Sequence, residues 1–567
     1  MPGGLLNLIA VGNQNIILNG NPKKTFFKFV YSKYTNFGLQ KFRLDFVGLR
    51  TLNITDDTHL TFKVPRYGDL LMDTYLSVTL PHIWSPIYPP KTAYDSWIPY
   101  EFKWIKDLGT RMIKEITVSV GGSLLQRISG DYLTSMIERD FSETKKKLHD
   151  NMTGNTAYYN DPSNFSNRRN AYPSAFFNES SGGAEPSIRG KTIYIPINVW
   201  FTMTSKQAFP LIAMQYNELI INVTLRPLNE LYIIRDVKDR ENNYPYIQPN
   251  ANQDYQQFHN FIQTPPNVDL IYADKRTNFN SDIHLISTYG FLSKDENRVF
   301  AKQSHEYLIK EVYEHVYHNV VGTQKINTDS LGLVNSWMWY FQRSDVNMRN
   351  EWSNYTNWPY QYIPQDIYIP SPSHVNADLS TYPNNGFPSI SNPNTDTGGN
   401  ISVYKNPAGT INNLFITGQY FVENQKSIMS TFGVLLDGKY RENTFESGVF
   451  EYVEKYIRTD GNAKEGLYCY NFCLNTSPFD LQPSGAMNLS KFSKVELEFT
   501  TYTPPLDENA VTYQICIPPN GVDPAIPIGV NKPSWRIFDY TYDMHLFEER
   551  YNIVKFTSGN CSLMYTR

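Results

Sequence analysis

The chain has 567 residues, of which 41 % are apolar and 19 % charged, and a formal net charge of −4. That length exceeds one ordinary core and sets an expectation of two large domains, while the near-neutral charge lacks the basic excess with which a dedicated nucleic-acid binder contacts phosphates. Tyr (41), Phe (33) and Pro (35) are abundant, which suits half-buried pleated strands joined by elaborate turns and predicts an all-β protein.

Residues 1–18 are fairly apolar but carry no positive segment ahead of the apolar run, and Gly3, Gly4, Asn7, Gly12, Asn13, Gln14 and Asn15 interrupt them. They read as neither a signal peptide nor a membrane span. Pro2 stands where N-myristoylation requires glycine. Residues 1–24 are expected to form an N-terminal arm, its Gly and Asn content permitting an extended path. An edge strand of the first domain is the alternative. The phrase N-G-N-P-K-K-T-F-F-K-F-V-Y-S-K-Y-T-N-F follows at Asn19–Phe37. Thr25 to Tyr31 are expected to begin the first strand. Lys23, Lys24, Lys28 and Lys33 read as solvent-facing or subunit-contact charges.

Alternation of period two dominates from there on. Phe42, Leu44 and Phe46 alternate with Arg43 and Asp45; Leu60, Phe62 and Val64 with Thr61 and Lys63; Ile116, Val118 and Val120 with Thr117 and Ser119. Ile193, Ile195, Ile197 and Val199 form one strand face, and Leu219, Ile221, Val223 and Leu225 another. Val495, Leu497 and Phe499 alternate with Glu496 and Glu498. One buried and one polar face is the pattern of antiparallel sheets packed as a sandwich. Helical spacing appears at Tyr132, Leu133, Met136 and Ile137, after caps at Ser129 or Asp131, and at Val449, Phe450 and Val453. A third helix starts at Ser293, whose S-K-D-E pairs Ser293 with Glu296 as a capping box.

The order of elements repeats. A strand, Gly121-Gly122, a short helix and two strands (192–200 and 213–225) are matched by a strand, Asp437-Gly438, a short helix and two strands (467–474 and 493–500). The expected division is an arm at 1–24, a first sandwich at 25–293, a linker helix at 294–305 and a second sandwich at 306–567. Long insertions rich in Asn, Ser, Pro, Tyr and Gly fall at about 141–190, 235–280 and 343–415 and read as folded, outward-facing loops, with Trp352 and Trp358 packing inside the last.

Candidate chemistry is sparse. His315 and His318 form H-V-Y-H, which has i+3 spacing and no intervening Glu, unlike the zincin pattern, and the alternation makes them structural strand residues. Cys469, Cys473, Cys516 and Cys561 show no paired C-x-x-C spacing and no disulfide framework; reduced buried thiols are expected, with Cys469 and Cys473 on one strand face. Asp56-Asp57 and Asp295-Glu296 are explained by a turn and a helix N-terminus rather than by a glycosidase pair. Lys145-Lys146-Lys147 and Arg168-Arg169 read as solvated loop charges. No nucleophile elbow, phosphate loop or dinucleotide fingerprint occurs. Sequons at Asn151, Asn164, Asn178, Asn354 and Asn400 all fall in the insertions; host glycosylation is not expected.

Six phrases in order carry a resemblance. The first is Gly20-Asn21-Pro22, Thr25-Phe26-Phe27-Lys28 and Thr35-Asn36-Phe37. The next are G-T-R-M-I-K-E-I-T-V-S-V-G-G at Gly109–Gly122 and P-L-I-A-M-Q-Y-N-E-L-I-I-N-V-T-L at Pro210–Leu225. K-D-E-N-R-V-F-A-K-Q-S-H-E-Y-L follows at Lys294–Leu308. Then come Gln482-Pro483-Ser484-Gly485 with Asn488 and Ser490, and Tyr551-Asn552-Ile553-Val554 with Ser558-Gly559. Together they resemble the major capsid proteins of nucleocytoplasmic large DNA viruses. The departures are the long insertions and Asn560 to Tyr565, where that family is glycine-rich and apolar.

The resemblance implies a double jelly roll: two tandem eight-stranded antiparallel sandwiches with few short helices. It implies no catalytic, cofactor or metal residues, and a homotrimer of pseudo-hexagonal outline in which a heterologous contact closes after three copies. Implied partners are neighbouring capsomers, minor capsid and penton proteins and, through minor proteins, an internal membrane, with no direct nucleic-acid contact. It implies assembly in the host cytoplasm and residence in the virion shell. Under this reading Leu5, Leu6, Leu8, Ile9, Ile16, Ile17 and Leu18 of the arm dock on neighbouring capsomers or minor proteins. The competing readings are a carbohydrate-binding β-sandwich, with the aromatic loops as a sugar platform, and a β-sandwich glycoside hydrolase or lyase.

Overall fold

Alternation of apolar and polar residues is realised twice, in the same strand order. The computed structural model describes residues 2–48, 51–85, 87–88, 98–168, 171–173, 175, 185–238, 246–264, 279, 281–358, 400–405, 411–417, 426–462, 464–504, 513–517, 526–531 and 540–565. In the first half the chain forms β1 (Phe37–Leu44), β2 (Thr58–Lys63), β3 (Leu70–Thr79), β4 (Ile113–Val120) and β5 (Ser123–Ser129). Helices α1 (Gly130–Asp140) and α2 (Glu143–Thr153) follow, then β6 (Thr192–Pro196), β7 (Phe209–Pro210), β8 (Leu219–Leu225) and β9 (His284–Leu292). One sheet has the order β1-β9-β3-β7, with β6 also on β3; the facing sheet has the order β2-β8-β4-β5.

Helix α3 (Lys294–Lys302) leads into the second half. There the strands are β10 (His305–Tyr317), β11 (Thr323–Thr328), β12 (Leu333–Arg343), β13 (Met429–Leu436) and β14 (Lys439–Glu446). A π-helical turn, Val449–Val453, continues as α4 (Glu454–Arg458). Then come β15 (Leu467–Asn471), β16 (Met487–Asn488), β17 (Val495–Thr501), β18 (Tyr542–Thr557) and β19 (Asn560–Leu563). The sheets read β10-β18-β12-β15 and β11-β17-β13-β14. Strand for strand, β10, β18, β12 and β15 repeat β1, β9, β3 and β6, and β11, β17, β13 and β14 repeat β2, β8, β4 and β5. This is a double jelly roll of two tandem eight-stranded antiparallel sandwiches.

The predicted faces are buried as expected. Strands β8 and β17 alternate between buried and half-buried along their whole length. Each fully buried Ile or Leu on such a face contributes about 1.5–3 kcal/mol by its removal from water. Both predicted tight turns have two successive residues at positive φ, Gly121 (56°) and Gly122 (87°) in one and Asp437 (49°) and Gly438 (77°) in the other. That is the backbone of a two-residue hairpin turn, whose twist matches the flanking strands. Helix α1 starts as predicted, the Ser129 hydroxyl accepting from the Tyr132 amide at 3.2 Å. At its first residue a Cβ on Gly130 would sit 1.9 Å from the Ile113 carbonyl oxygen, so only glycine fits there.

Several expectations are corrected. Thr25 to Tyr31 form no strand; β1 starts at Phe37, opposite Leu292, the last residue of β9. Beyond Leu292 the chain turns into α3, so β9 offers nothing for residues upstream of Phe37 to pair with. The arm is not an edge strand either: it holds short helical turns at Gly3–Leu5, Leu6–Ile9, Asn13–Asn15 and Ile16–Asn19. Ser293 precedes α3 without a side-chain capping bond. Ile197 and Val199 are buried but lie past the end of β6, and Cys473 lies past the end of β15.

The insertions carry structure of their own. Residues 141–190 supply α2 and Ala157–Asn160. Asn400–Lys405 and Ile411–Thr417 join Tyr513–Ile517 and Ile526–Asn531 in a further four-stranded sheet. Asn354 is buried and donates to the Trp358 carbonyl at 2.7 Å, so that sequon sits inside a folded loop. Arg169, Asn178 and the side chain of Cys516 lie outside the described residues.

The two rolls lock together at the last hairpin. Ser558 (φ 53°) and Gly559 (φ 79°) turn β18 into β19. The Gln215 amide of the first roll donates to the Gly559 carbonyl at 3.0 Å. A Cβ on Gly559 would lie 2.9 Å from the Gln215 Cβ, whereas Gly322 (φ 72°) has open space around it. Gly322→Ala is therefore expected to cost only the left-handed penalty of about 1–2 kcal/mol. Gly559→Ala is expected to cost about 1 kcal/mol more, because the rolls must also separate slightly. Urea unfolding of the two variants checks the difference.

Candidate functional site

Helix α1 is wedged between the rolls, and its side chains make the seam. Tyr132, Leu133, Met136 and Ile137 are all buried. Tyr132 meets Phe547 of β18 edge-on at 5.8 Å. Elsewhere along the seam Phe209 meets Phe556 at 5.1 Å and Trp200 meets Tyr307 at 5.5 Å. Edge-to-face and tilted aromatic pairs of this kind add about 0.5–1.5 kcal/mol each beyond their buried area.

Charge is buried among these rings. Arg139 of α1 donates to Glu549 of β18 at 2.5 Å, to Asp140 through both Nε (3.0 Å) and Nη2 (2.7 Å), and to the Ser336 hydroxyl at 3.2 Å. The Tyr132 hydroxyl donates to Glu549 at 2.8 Å, Ser336 donates to it at 2.9 Å, and Lys310 stands 3.7 Å away. Thr476 donates to Asp140 at 2.6 Å. Burial alone would raise the Glu549 carboxyl, but Arg139, Lys310 and the Tyr132 hydroxyl hold it at about 2. Asp140 moves the opposite way: burial, with Glu549 sharing the same guanidinium, raises it despite Arg139.

A second cluster closes the other side of α1. Asp131 pairs with Arg111 and, at 2.9 Å, with Arg226. Arg111 donates to the Tyr355 hydroxyl at 2.6 Å, and Ser353 donates to Asp107 at 2.6 Å. Lys464 stands 3.6 Å from Asp107 and 3.7 Å from Glu138. Against the burial that would raise them, Arg226 and Arg111 hold Asp131 at about 2, and Lys464 and the Ser353 hydroxyl hold Asp107 at about 2. The start of the 343–415 insertion thus packs on the first roll, where Trp352 donates to the Glu230 carbonyl at 3.0 Å.

Five of the six phrases singled out in the sequence fall into three places, and the sixth, Lys294–Leu308, forms α3 and the start of β10. Asn217, in the phrase starting at Pro210, donates to Asn560 at 2.9 Å, and a Cβ on Gly121 would strike its side chain at 2.7 Å. The glycine pair, the 210–225 phrase and Ser558-Gly559 therefore meet at one end of the seam. Gln482-Pro483-Ser484-Gly485 meets Tyr551 at Asn335, whose amide donates to the Gly485 carbonyl (3.2 Å) and the Tyr551 hydroxyl (2.7 Å). The Ser484 hydroxyl accepts from the Asn475 amide at 3.1 Å and donates to its carbonyl at 2.8 Å. Asn552 is buried and donates to Glu311 (2.9 Å) and the Tyr565 carbonyl (2.7 Å), which ties down the C-terminal segment. Gly20, Asn21, Pro22, Phe26, Phe27, Thr35 and Asn36 join neither cluster and stand exposed, Phe27 at 98 %; Phe37 opens β1.

The candidate catalytic groups are held apart. His315 lies in β10 and stacks near Tyr317, while His318 follows the strand's end and pairs with Asp543 at 3.0 Å. Cys469 and Cys473 are buried, and burial pushes the Cys469 thiol up to about 11. Among the described residues no group of three or more His, Cys, Asp or Glu is placed to hold a metal ion. The seam charges are functional groups that the sequence reading missed. The signal was present: Glu548-Glu549-Arg550 interrupts an alternating strand with three charges, all buried.

Carboxyls depressed on folding stabilise the protein fully above their unfolded value of about 4, and that stability is lost as pH falls toward 2. With Glu549, Asp131 and Asp107 all held at about 2, the melting temperature is expected to drop steeply between about pH 4.5 and 2. Glu549→Gln is expected to cost about 3 kcal/mol at pH 7, because it removes the buried carboxylate that Arg139, Lys310 and Tyr132 share and leaves Asp140 as the one charged partner of Arg139 in the seam. The gap to wild type narrows as pH approaches 2, which thermal melts across that range check.

Comparison with known proteins gives the same picture from both halves. Residues 25–263 match the family model "Major capsid protein N-terminus", and residues 296–515 match "Large eukaryotic DNA virus major capsid protein". The major capsid protein of Phaeocystis pouchetii virus is 25% identical over 533 residues, covering 88% of this chain and 92% of that protein. That of Paramecium bursaria Chlorella virus 1 is 22% identical over 571 residues, covering 100% of both. Capsid protein 1 of Acanthamoeba polyphaga mimivirus is 28% identical over 312 residues, 55% of this chain and 44% of that protein. The chain likewise spans 52% of the major capsid protein of Chrysochromulina ericina virus, so it covers about half the length of these two relatives. In fold, PBCV-1 VP54 aligns with a TM-score of 0.58 at 18% identity over 96% of this chain and 100% of that one. The Faustovirus major capsid protein aligns with a TM-score of 0.58 at 10% identity over 94% and 93%. The relatives are structural proteins of virions rather than enzymes, and this chain belongs to the family of large eukaryotic DNA virus major capsid proteins.

Proposed function

We propose that this protein is the tile of an icosahedral viral shell, three copies closing into a pseudo-hexagonal capsomer. The observation that supports it is the complete repetition of one jelly roll within a chain whose two halves both match capsid family models. Two similar rolls per chain, taken three times, put six similar lobes around one axis, an outline that fills a flat facet. A head-to-tail contact that closes makes such a ring. Weak contacts between rings suffice for the shell, because each ring makes many at once.

In this reading the chain divides into an arm at 1–24, rolls at 25–293 and 306–567, and a linker at 294–305. The seam serves the tile by making the two rolls one unit. The arm serves the shell. Its apolar side chains, Leu18 at 88 % exposure among them, stand in water in the single chain and offer a contact surface. The partners that fit are neighbouring capsomers and minor capsid or penton proteins, with an internal membrane reached through minor proteins. Assembly would take place in the host cytoplasm. The phrase residues Gly20, Asn21 and Pro22 form the exit from the arm; a φ of 49° at Asn21 turns the chain there.

Light scattering on the purified chain checks the central step. A particle of roughly 200 kDa is expected, three times the 65.6 kDa chain; a stable monomer would contradict it. Deleting residues 1–24 is expected to leave a three-chain particle, lighter only by the residues removed, while shell formation fails. Loss of the 200 kDa species on deletion would instead place the arm inside the ring.

A further inference from the structure

Among the described residues, the internal repeat leaves one pair of surfaces largely exposed. Within the chain, β5 and α1 of the first roll pack against β10 and β18 of the second, Gln126 of β5 donating to the Lys310 carbonyl of β10 at 3.1 Å. The counterparts of β5 and α1 are β14 and the helical segment 449–458. The counterparts of β10 and β18 are β1 and β9. Among the described residues, β14, the face at 452–457 and the outer part of β1 are left exposed, while β9 is buried inside its sheet. Strand β10 is half-buried along most of its length, whereas β1 is exposed over its first five residues. Strand β5 is half covered, whereas β14 is exposed at all but one position.

The helices show the same contrast. A serine-glycine pair stands at the start of each, Ser129-Gly130 and Ser447-Gly448. Helix α1 carries Tyr132, Leu133, Met136 and Ile137, starting three residues after its serine; the second segment, which opens with a π-helical turn, carries an apolar set of the same internal spacing, Tyr452, Val453, Tyr456 and Ile457, starting five residues after its own. The first four are buried. The second four stand in water, Tyr456 at 90 % and Ile457 at 74 %. Their helix is anchored from its other side by Phe450, Glu451 and Lys455, all buried, so the exposed face is held in place rather than frayed. Tyr440 and Phe445 of β14 are exposed beside it, and Phe37 and Leu39 of β1 are exposed on the other roll.

We infer that the face formed by β14 and residues 452–457 docks on the β1 edge of a second copy of this chain, reproducing between chains the contact that α1 and β5 make within one. The occupant is a second copy because the chain already shows what covers each surface: the same fold's opposite edge. The contact is heterologous, since two different patches meet, and repeated it closes a ring instead of a two-fold pair. This rests on the capsomer reading above and adds which residues form its joints.

The test uses the full chain. Tyr456→Glu with Ile457→Glu, and separately Leu39→Glu, place charge on exposed positions and are expected to leave the fold intact by circular dichroism. Both are expected to convert the oligomer into monomer by light scattering, and mixing the two variants is expected to recover no full-size ring. Leu6→Glu with Ile9→Glu in the arm is the control and is expected to keep the oligomer. Hydrogen exchange should slow at 440–457 and 37–43 together as wild type is concentrated from monomer to oligomer. A wild-type chain that is monomeric would overturn the capsomer reading itself. A wild-type oligomer that survives both surface variants, with unprotected amides in these segments, would leave that reading standing and overturn this one.

Discussion

Arg139 reaches from a helix of the first roll to Glu549 on the longest strand of the second, and both are about 1 % exposed. A guanidinium and carboxylates so deeply buried are tolerable only while every partner is in place, since an unpaired charge there costs several kcal/mol. Tyr132, Ser336, Thr476 and Lys310 supply those partners from both rolls. The rolls are therefore not beads on a string. Their relative placement is set by bonds of definite direction, whereas an apolar seam alone would permit sliding. A tile must present its edges at fixed angles, and this network is the part of the chain that fixes them.

The same seam explains why one α1-type helix is hidden and the other is not. Repetition of a fold within one chain produces two copies of each surface, and a linear chain joins only one complementary pair of them internally. The remaining pair must face water or another molecule. Here both leftover surfaces carry aromatic and aliphatic side chains, and both stand on elements anchored in well-packed cores. The N-terminal arm adds a second kind of exposed apolar surface, one without a rigid base.

Much of the fold was legible because strands buried on one face must alternate. The faces at 60–64, 116–120, 219–225 and 495–499, the turns at Gly121-Gly122 and Asp437-Gly438, and the duplicated order follow from that rule alone. The start of β1 was misplaced because Thr25 to Tyr31 has the aromatic content of a strand, yet strand formation needs a partner, and β9 ends at Leu292. The helical turns of the arm were missed for a related reason: isolated short helices leave no strong periodicity. The seam charges were hidden by the assumption that charged residues in a strand face water. Only pairing between elements 410 residues apart, as for Arg139 and Glu549, reveals otherwise.

The measurement that bears most directly on this account is an electron cryo-microscopy map of the purified, assembled protein. The account predicts three-fold particles with six similar lobes, in which the helical segment 449–458 of each chain lies against the β1 edge of the next. Particles with only two lobes, or rings in which residues 452–457 still face solvent, would contradict it.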